Sequence, residues 1–183
     1  VYTVGKEGPL DVFPRISFEG IVKNQLSKIE CGETSKFRNF ILDCIRGHFN
    51  ENIIELDIID IGSGHDPLTA DCDTFDLETS YTGKTLGVST TFTGDVRRIS
   101  SIVDKKYDVI YSSHLIEDFR DEEIDSILLQ FSNMTKGRKS LLVFLLPDQQ
   151  RYLRRCSKYN SEPNGSHKIS HFGLDYIFDK IKK

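Results

Sequence analysis

The chain has 183 residues, with 24 Lys and Arg against 28 Asp and Glu, a net charge of −4 and a pI of ≈ 5.7. Hydrophobic residues make up 38% and charged residues 28%, a balance that fits a globular domain and excludes disorder, collagen or coiled coil as the main state. General nucleic-acid binding needs a basic face, so no nucleic-acid partner is expected for this acidic chain.

The longest strongly apolar run, 141–147, is strand length and far short of the ~20 residues of a membrane span. The cysteines, Cys31, Cys44, Cys72 and Cys156, are widely spaced, and no signal peptide is visible, so a reduced, cytoplasmic protein is expected. The chain opens on Val1 and its only methionine is Met134, which points to an excised or trimmed domain. A larger chain or a homo-oligomer is its expected setting.

Residues 1–20 carry Gly5, Gly8, Pro9, Pro14 and Gly20 and read as an irregular arm. A weak helical stripe follows at Ile21, Val22, Leu26 and Ile29, so 1–34 form an N-terminal arm with a short helix and 35–183 the main domain. From Ser35 on, Phe37, Phe40, Ile41, Cys44, Ile45 and His48 recur at three- and four-residue spacing. That predicts an amphipathic helix, with Thr34 or Ser35 as N-cap and Gly47 near its end. The run 53–61 is β-branched and nearly continuous, as in a strand buried on both faces of a parallel sheet. Residues 73–78 are a short second strand, 79–94 a Thr- and Gly-rich loop, and 107–112 a third strand. Over 121–134, Ile124, Ile127, Leu128, Phe131 and Met134 share one helix face, with Asp121 able to cap it. Residues 140–146 are a fourth strand, and helices are predicted over 149–159 and 174–183, on either side of a loop with Pro163, Asn164 and Gly165. Strands alternating with helices predict an α/β fold with a mainly parallel sheet of about five strands. Such sheets bind ligands beyond the carboxyl ends of their strands, where strand order switches.

The first strand ends in Asp60-Ile61-Gly62-Ser63-Gly64. Two glycines one residue apart let the backbone turn sharply and approach a ligand closely. The dinucleotide fingerprint needs a third glycine where Pro67 stands, and a full helix where only a short connection to Thr74 exists. A hydride-transferring dehydrogenase is therefore disfavoured, and with no G-K-[ST] a P-loop is excluded.

The same segment resembles the first motif of class I S-adenosylmethionine-dependent methyltransferases, and later segments match that family in order. Asp76, within FDLE, stands where the family keeps an acidic residue for the ribose hydroxyls. Gly94-Asp95-Val96 resembles the element beside the adenine. YDVIYSSHLIEDF (107–119) resembles the FD-x-I-x-x-SHVLEH strand and loop of the type 11 branch, and LLVFLLPD (141–148) its next strand. The short connection after Gly64 matches a sub-branch whose glycine loop runs almost directly to the second strand. The resemblance covers 53–175. It implies a Rossmann-like fold with flanking helices and S-adenosylmethionine as cofactor. The implied acceptor is a small molecule or glycan, methylated on oxygen. The cofactor-binding positions it implies are Asp60, Gly62, Ser63, Gly64, Asp76, Leu77, Asp95, Val96 and Ser112. Two departures stand out. The family's sheet normally closes with two antiparallel strands after the final helix; here that pair is expected to be missing, replaced by the N-terminal arm, or removed with the rest of a longer protein. Asp118 also stands where the family has a histidine.

The chemistry suits these residue types. A carboxylate such as Asp76 can accept both hydroxyls of a ribose diol, and ionised acceptors bond more strongly. Asp95 can accept from the adenine amino group while Val96 packs on the ring, and the backbone of the glycine turn can reach the methionyl part. An activated methyl group mainly needs its acceptor aligned, and a hydroxyl acceptor also calls for a base. The candidates are His114, Glu117 and Asp118. His114 reads as a base, a substrate hydrogen-bond donor or, most often for a lone histidine, a structural residue. Ser112-Ser113-His114 replaces the Asp/Asn-Pro-Pro-aromatic motif of nucleobase amino methylation, and no cysteine lies nearby for cytosine carbon-5 chemistry.

Other features read more plainly. The acidic run Asp66, Asp71, Asp73, Asp76 and Glu78 lacks EF-hand spacing and fits a solvated loop. His167 and His171 have the spacing of zinc ligands on a helix, but the sequence between them is not helical and no metal is expected. They fit a lid, an acceptor-binding loop or plain surface. Arg151, Arg154, Arg155 and Lys158, with Tyr152 and Tyr159, fit a solvated helix face or a grip on a phosphorylated acceptor. The competing reading of the whole chain is a non-catalytic methyltransferase-fold module serving assembly or cofactor sensing.

Overall fold

The structure, a computed structural model, describes residues 2–3, 33–50, 52–77, 90–169 and 172–181. The strands are β1 (Tyr2–Thr3), β2 (Ile58–Ile61), β3 (Asp73–Asp76), β4 (Phe92–Thr93), β5 (Val109–Ser113) and β6 (Leu141–Leu145). The helices are α1 (Glu33–Phe49), α2 (Asp121–Asn133), α3 (Gln149–Lys158) and α4 (Leu174–Ile181). The sheet runs β1-β6-β5-β2-β3-β4. Five strands are parallel, and β1 lies antiparallel on the outer edge of β6, with Tyr2 opposite Leu142 and Thr3 opposite Leu141.

β2 sits at the centre because it is apolar on both faces, and all four of its residues are buried. Ile58 and Asp60 face α1, in one core layer with Ile41, Ile45, Val109, Tyr111 and Val143. Ile59 and Ile61 face the other side, where they join Ile110, Ile124, Ile127, Phe131 and Ile177. Each such buried aliphatic or aromatic side chain contributes ~1.5–3 kcal/mol. From β2 the chain moves outward through β3 and β4, then returns to place β5 on β2's other flank. The crevice above β2 and β5 is therefore the switch point.

Several expectations need correction. The strand predicted from residue 53 begins only at Ile58. Ile53–Glu55 is a 3-10 turn capped by Asn52, whose side chain accepts from Ile54 N–H, and Ile54 is 84% exposed. The β-branched run misled because its pairing with β5 starts only at Ile58 opposite Val109. The loop predicted over 79–94 contains β4, two residues paired with Phe75 and Asp76. A reciprocal exchange precedes it: Thr74 N–H donates to Thr91 Oγ1 at 3.1 Å and Thr91 N–H to Thr74 Oγ1 at 2.9 Å. Two residues are too few for a period-2 pattern to show.

The third strand starts at Val109 rather than at 107, and Tyr107 instead forms a single bridge with Thr135. Asp121 does not cap α2. It is the first helical residue, while Arg120 is the N-cap and its N–H donates to Glu123 Oε2 at 3.0 Å. The arm predicted as irregular contributes β1, and the rest of 1–32, including the Ile21 to Ile29 stripe, lies outside the described residues. Glu78, most of the 79–94 loop and His171 lie outside them as well. Among the described residues no helix is long and apolar enough to cross a membrane.

Candidate cofactor and acceptor site

The turn after β2 is built by left-handed glycines, Gly62 at φ 77° and Gly64 at φ 55°. A Cβ on Gly62 would stand 3.2 Å from the Leu115 side chain, so the turn and the segment after β5 are packed against each other. Gly62 N–H donates to Phe75 O at 2.8 Å, and Gly64 N–H to Asp76 Oδ2 at 2.8 Å. Asp76 Oδ1 accepts from Leu77 N–H at 2.7 Å. The carboxylate is thus aimed across the crevice by two backbone donors, and each oxygen keeps lone-pair capacity for a ligand.

Beyond the turn, Asp66 is seized by the start of α1. It accepts from Ser35 N–H at 2.7 Å and Ser35 Oγ at 2.6 Å, and pairs with Arg38. Asp66 thereby supplies an acceptor to a backbone N–H in the first turn of the helix. Burial raises the Asp66 pKa, but the Ser35 and Arg38 contacts outweigh it and hold the carboxyl below its ordinary value. Arg38 also donates to Leu68 O at 3.1 Å and Pro67 O at 3.0 Å, which fixes the descent from the turn. Below lies Asp60, 1% exposed. Its Oδ2 accepts from Leu68 N–H at 2.8 Å, and its Oδ1 has no partner. Burial pushes its pKa up to about 7. Ser63 Oγ is likewise buried without a partner. Such orphaned polar atoms in a native fold mark a water or ligand contact.

The other positions predicted for the cofactor divide between the rim and the core. Leu77 is 54% exposed just past β3. Gly94 N–H donates to Asp76 O at 3.0 Å, and a Cβ on Gly94 would meet Ile102 at 2.4 Å, so only glycine fits there. Asp95 caps the 3-10 turn Val96–Ser101, and both its oxygens are held by Arg97, at 2.9 and 3.0 Å from Nε and 2.6 Å from Nη2. Those bonds keep the Asp95 pKa low. Val96 points into the core. Ser112 is buried and donates to Ile61 O at 2.9 Å, tying β5 to β2 rather than facing outward.

The acceptor-side candidates cluster after β5. His114 takes φ 50°, its N–H donates to Leu145 O at 3.0 Å, and its Nδ1 lies 3.1 Å from Glu117 Oε1. Glu117 is wholly buried, and its Oε2 has no partner. Asp118 is half-buried beside Glu117. Burial raises its pKa, partly offset by Ser166, His167 and Lys168. The loop 161–169 docks on this turn, with Lys168 N–H donating to Glu117 O at 2.9 Å.

Sequence reasoning missed Gln149, 4% exposed, whose Oε1 lies 2.8 Å from His167 Nδ1. It missed the Asp66 clamp and Leu115 too. Gln149 directly follows the Asp148 cap at the end of β6, and that position was the only available signal. The acidic run is dispersed among separate partners: Asp66 on α1, Asp73 on Lys105 and Tyr107, Asp76 on the glycine turn. Among the described residues no three His, Cys, Asp or Glu side chains are grouped to hold a metal.

The switch-point crevice, the glycine turn and the acidic end of β3 define a class I S-adenosylmethionine-methyltransferase-like Rossmann fold. Solved structures share it. The small RNA methyltransferase HEN1 superposes with a TM-score of 0.52 at 10% identity, over 85% of this chain and 22% of that one. The plantazolicin methyltransferase BamL, in complex with a triazolic desmethylPZN analog and SAH, gives 0.49 at 18% identity, over 82% of this chain and 57% of its own. An O-methyltransferase family protein from Burkholderia thailandensis gives 0.45 at 11% identity, over 80% and 52%. This chain thus spans little more than half, or less, of each of these proteins. No protein-family profile matches the sequence, and no curated protein matches it.

Proposed function

We propose that the chain is an S-adenosylmethionine-dependent methyltransferase acting on a hydroxyl of a small molecule or glycan. The observation that carries this reading is the Asp76 carboxylate held on the Gly64 N–H at 2.8 Å, an acidic group fixed over a ligand-ready glycine turn. The residues fit the cofactor. Ser63 Oγ and Asp60 Oδ1 lack partners beside the turn, and exposed Leu77 offers an apolar face next to Asp76.

In this reading Asp76 accepts the ribose hydroxyls, Leu77 covers one adenine face, and the backbone of Gly62 to Gly64 receives the methionyl end. Asp95 reaches the adenine amino group only by giving up part of its pairing with Arg97. When bound, the cofactor supplies a methyl group already activated by a positive sulfur. The chain must bring the acceptor into line, and alignment supplies much of the acceleration. His114 takes the acceptor's proton. Its Nδ1 donates to the Glu117 carboxylate, which leaves the lone pair on Nε2 and stabilises the imidazolium formed. Glu117 is wholly buried, so it positions His114 and does not meet the acceptor itself. Asp118 lies behind the loop 161–169 and stays with the wall of the acceptor side.

Calorimetry with S-adenosylhomocysteine tests the reading. The parent should bind one equivalent, and Gly64→Val should abolish binding, because a β-branched residue at φ 55° distorts the turn. No binding to the parent would overturn it.

A further inference from the structure

The charges of this chain are not spread evenly. α3 carries Arg151, Arg154, Arg155 and Lys158, and steps of three, four and seven residues from Arg151 put all four on one helix face. Each is exposed. The opposite face packs inward, with Gln149 and Cys156 buried and Tyr152 and Leu153 half-buried. The stripe runs about 10 Å along the helix axis. Residues 149–161 contain no Asp or Glu. Asp148, at the start of the helix, is taken up by the cap, where its Oδ1 accepts from Arg151 N–H at 2.9 Å.

Among the described residues none of the four cations pairs with a carboxylate. Arg154 donates to the neutral Gln150 Oε1 at 3.3 Å, and Lys158 Nζ stands 5.3 Å from the centre of the Tyr159 ring. Elsewhere Arg38, Arg46, Arg97, Lys105, Lys136 and Lys180 each reach a carboxylate. With these four charges set aside, the rest of a chain at −4 is twice as negative as the whole. Attraction is nevertheless read locally, because exposed charges further apart than a Debye length, ~8 Å at physiological ionic strength, are screened. The net charge that argues against general nucleic-acid binding therefore does not govern this face.

Three observations favour an unpaired nucleic-acid strand as its occupant. Three of the four cations are arginines, whose planar forks grip phosphate oxygens in pairs. Tyr159, the residue after Lys158, is 65% exposed, so a flat ring stands at the end of the stripe. A cationic track ending in an exposed aromatic matches what a single strand offers, phosphates in a row and bare base faces, which a duplex hides. A lipid surface calls for an apolar helix side free to enter it, and that side of α3 is turned inward.

We propose that the outer face of α3 binds single-stranded nucleic acid, with phosphates on Arg151, Arg154, Arg155 and Lys158 and a base stacked on Tyr159. The proposal does not rest on the methyltransferase reading. No covalent bond is made or broken; the cations replace counterions on the phosphates.

The test is fluorescence anisotropy of the whole chain with a labelled twelve-nucleotide oligothymidylate. Affinity should fall with salt at a log–log slope of about −2.8, from about −0.7 for each of four phosphates on a single strand. That is roughly a fiftyfold loss between about 50 and 200 mM salt. The double variant Arg154→Gln, Arg155→Gln should bind at least tenfold more weakly, with a slope of about −1.4. Tyr159→Ala should lose about fivefold or more and keep the parent slope, since stacking releases no counterion. The double variant Arg138→Gln, Lys139→Gln, at exposed cations outside α3, should bind like the parent. All these side chains are exposed, so melting temperatures should stay at the parent value. A duplex of the same length, poly-L-glutamate and phosphatidylserine vesicles should each bind more weakly than the single strand. No binding of the oligothymidylate at low salt overturns the proposal. So does an unchanged affinity in the α3 double variant, or an equal loss in the Arg138, Lys139 one. Equal affinity for the duplex or for poly-L-glutamate, or an unaltered Tyr159→Ala, overturns it by making the face a general polyanion surface. Tighter binding to the vesicles overturns it in favour of an anionic lipid surface.

Discussion

Asp76 and Gly64 are joined by a 2.8 Å hydrogen bond across the crevice, from the N–H of the glycine turn to the carboxylate at the end of β3. The bond does two jobs. It satisfies a backbone donor that the left-handed turn leaves over, and in the proposed reading it presents the carboxylate to the ribose diol.

Asp76→Ala should therefore show in two measurements. Affinity for S-adenosylhomocysteine should fall by ~1.5–3 kcal/mol, the scale of a hydrogen bond to a charged group. Stability in urea should fall as well, by ~1 kcal/mol, because Gly64 N–H loses its acceptor. Unchanged affinity with reduced stability would leave Asp76 a purely structural residue.

Gly62→Ala tests the packing of the turn against the segment after β5. A side chain at φ 77° costs ~1–2 kcal/mol by itself. Its Cβ would also press on Leu115 at 3.2 Å. Adding Leu115→Ala relieves only the second part, so the double variant should fall short of the sum of the two single losses. Strict additivity in chemical denaturation would contradict this contact.

Asp60 gives a pH signature. Its folded pKa is pushed up to about 7 by burial, against ~3.9 for a free aspartate. The folded state then holds a proton that the unfolded chain releases. Stability falls as pH rises from ~4 through about 7 and levels off above that, a loss on the order of a few kcal/mol. Asp60→Asn keeps an acceptor for Leu68 N–H and should flatten that part of the profile. Urea midpoints at pH 4.5 and 7.5 decide it, and an equal drop in parent and variant would assign the slope elsewhere.

His114→Ala should reduce turnover by roughly 10²–10⁴-fold with cofactor affinity intact, the usual scale for loss of a general base. A merely structural His114–Glu117 pair would instead lower the melting temperature and leave turnover at the parent rate.

What was legible in the sequence follows from how local each signal is. β5, β6 and α2 announced themselves through apolar runs and a 3.6-residue stripe that ended up buried, as at Val109 to Tyr111 and Ile124 to Phe131. The glycine turn was visible because Gly62 and Gly64 adopt backbone angles few other residues tolerate. β4 stayed hidden because its pairing depends on two residues and the Thr74–Thr91 exchange. The Asp66 clamp on Ser35 and Arg38 joins positions about thirty residues apart, and no periodicity reports that. His167 stood out only for its spacing from His171. Its partner proved to be Gln149, brought to it by the return of the loop 161–169.

The proposed site for S-adenosylmethionine spans the carboxyl ends of β5, β2 and β3, with the ribose on Asp76. A crystal structure of the chain with S-adenosylhomocysteine tests it most directly. The expected result places a ribose hydroxyl within hydrogen-bond distance of the Asp76 carboxylate, with the methionyl end over Gly62 to Gly64. A ligand seated elsewhere, or crystals that stay empty at saturating ligand, would contradict it.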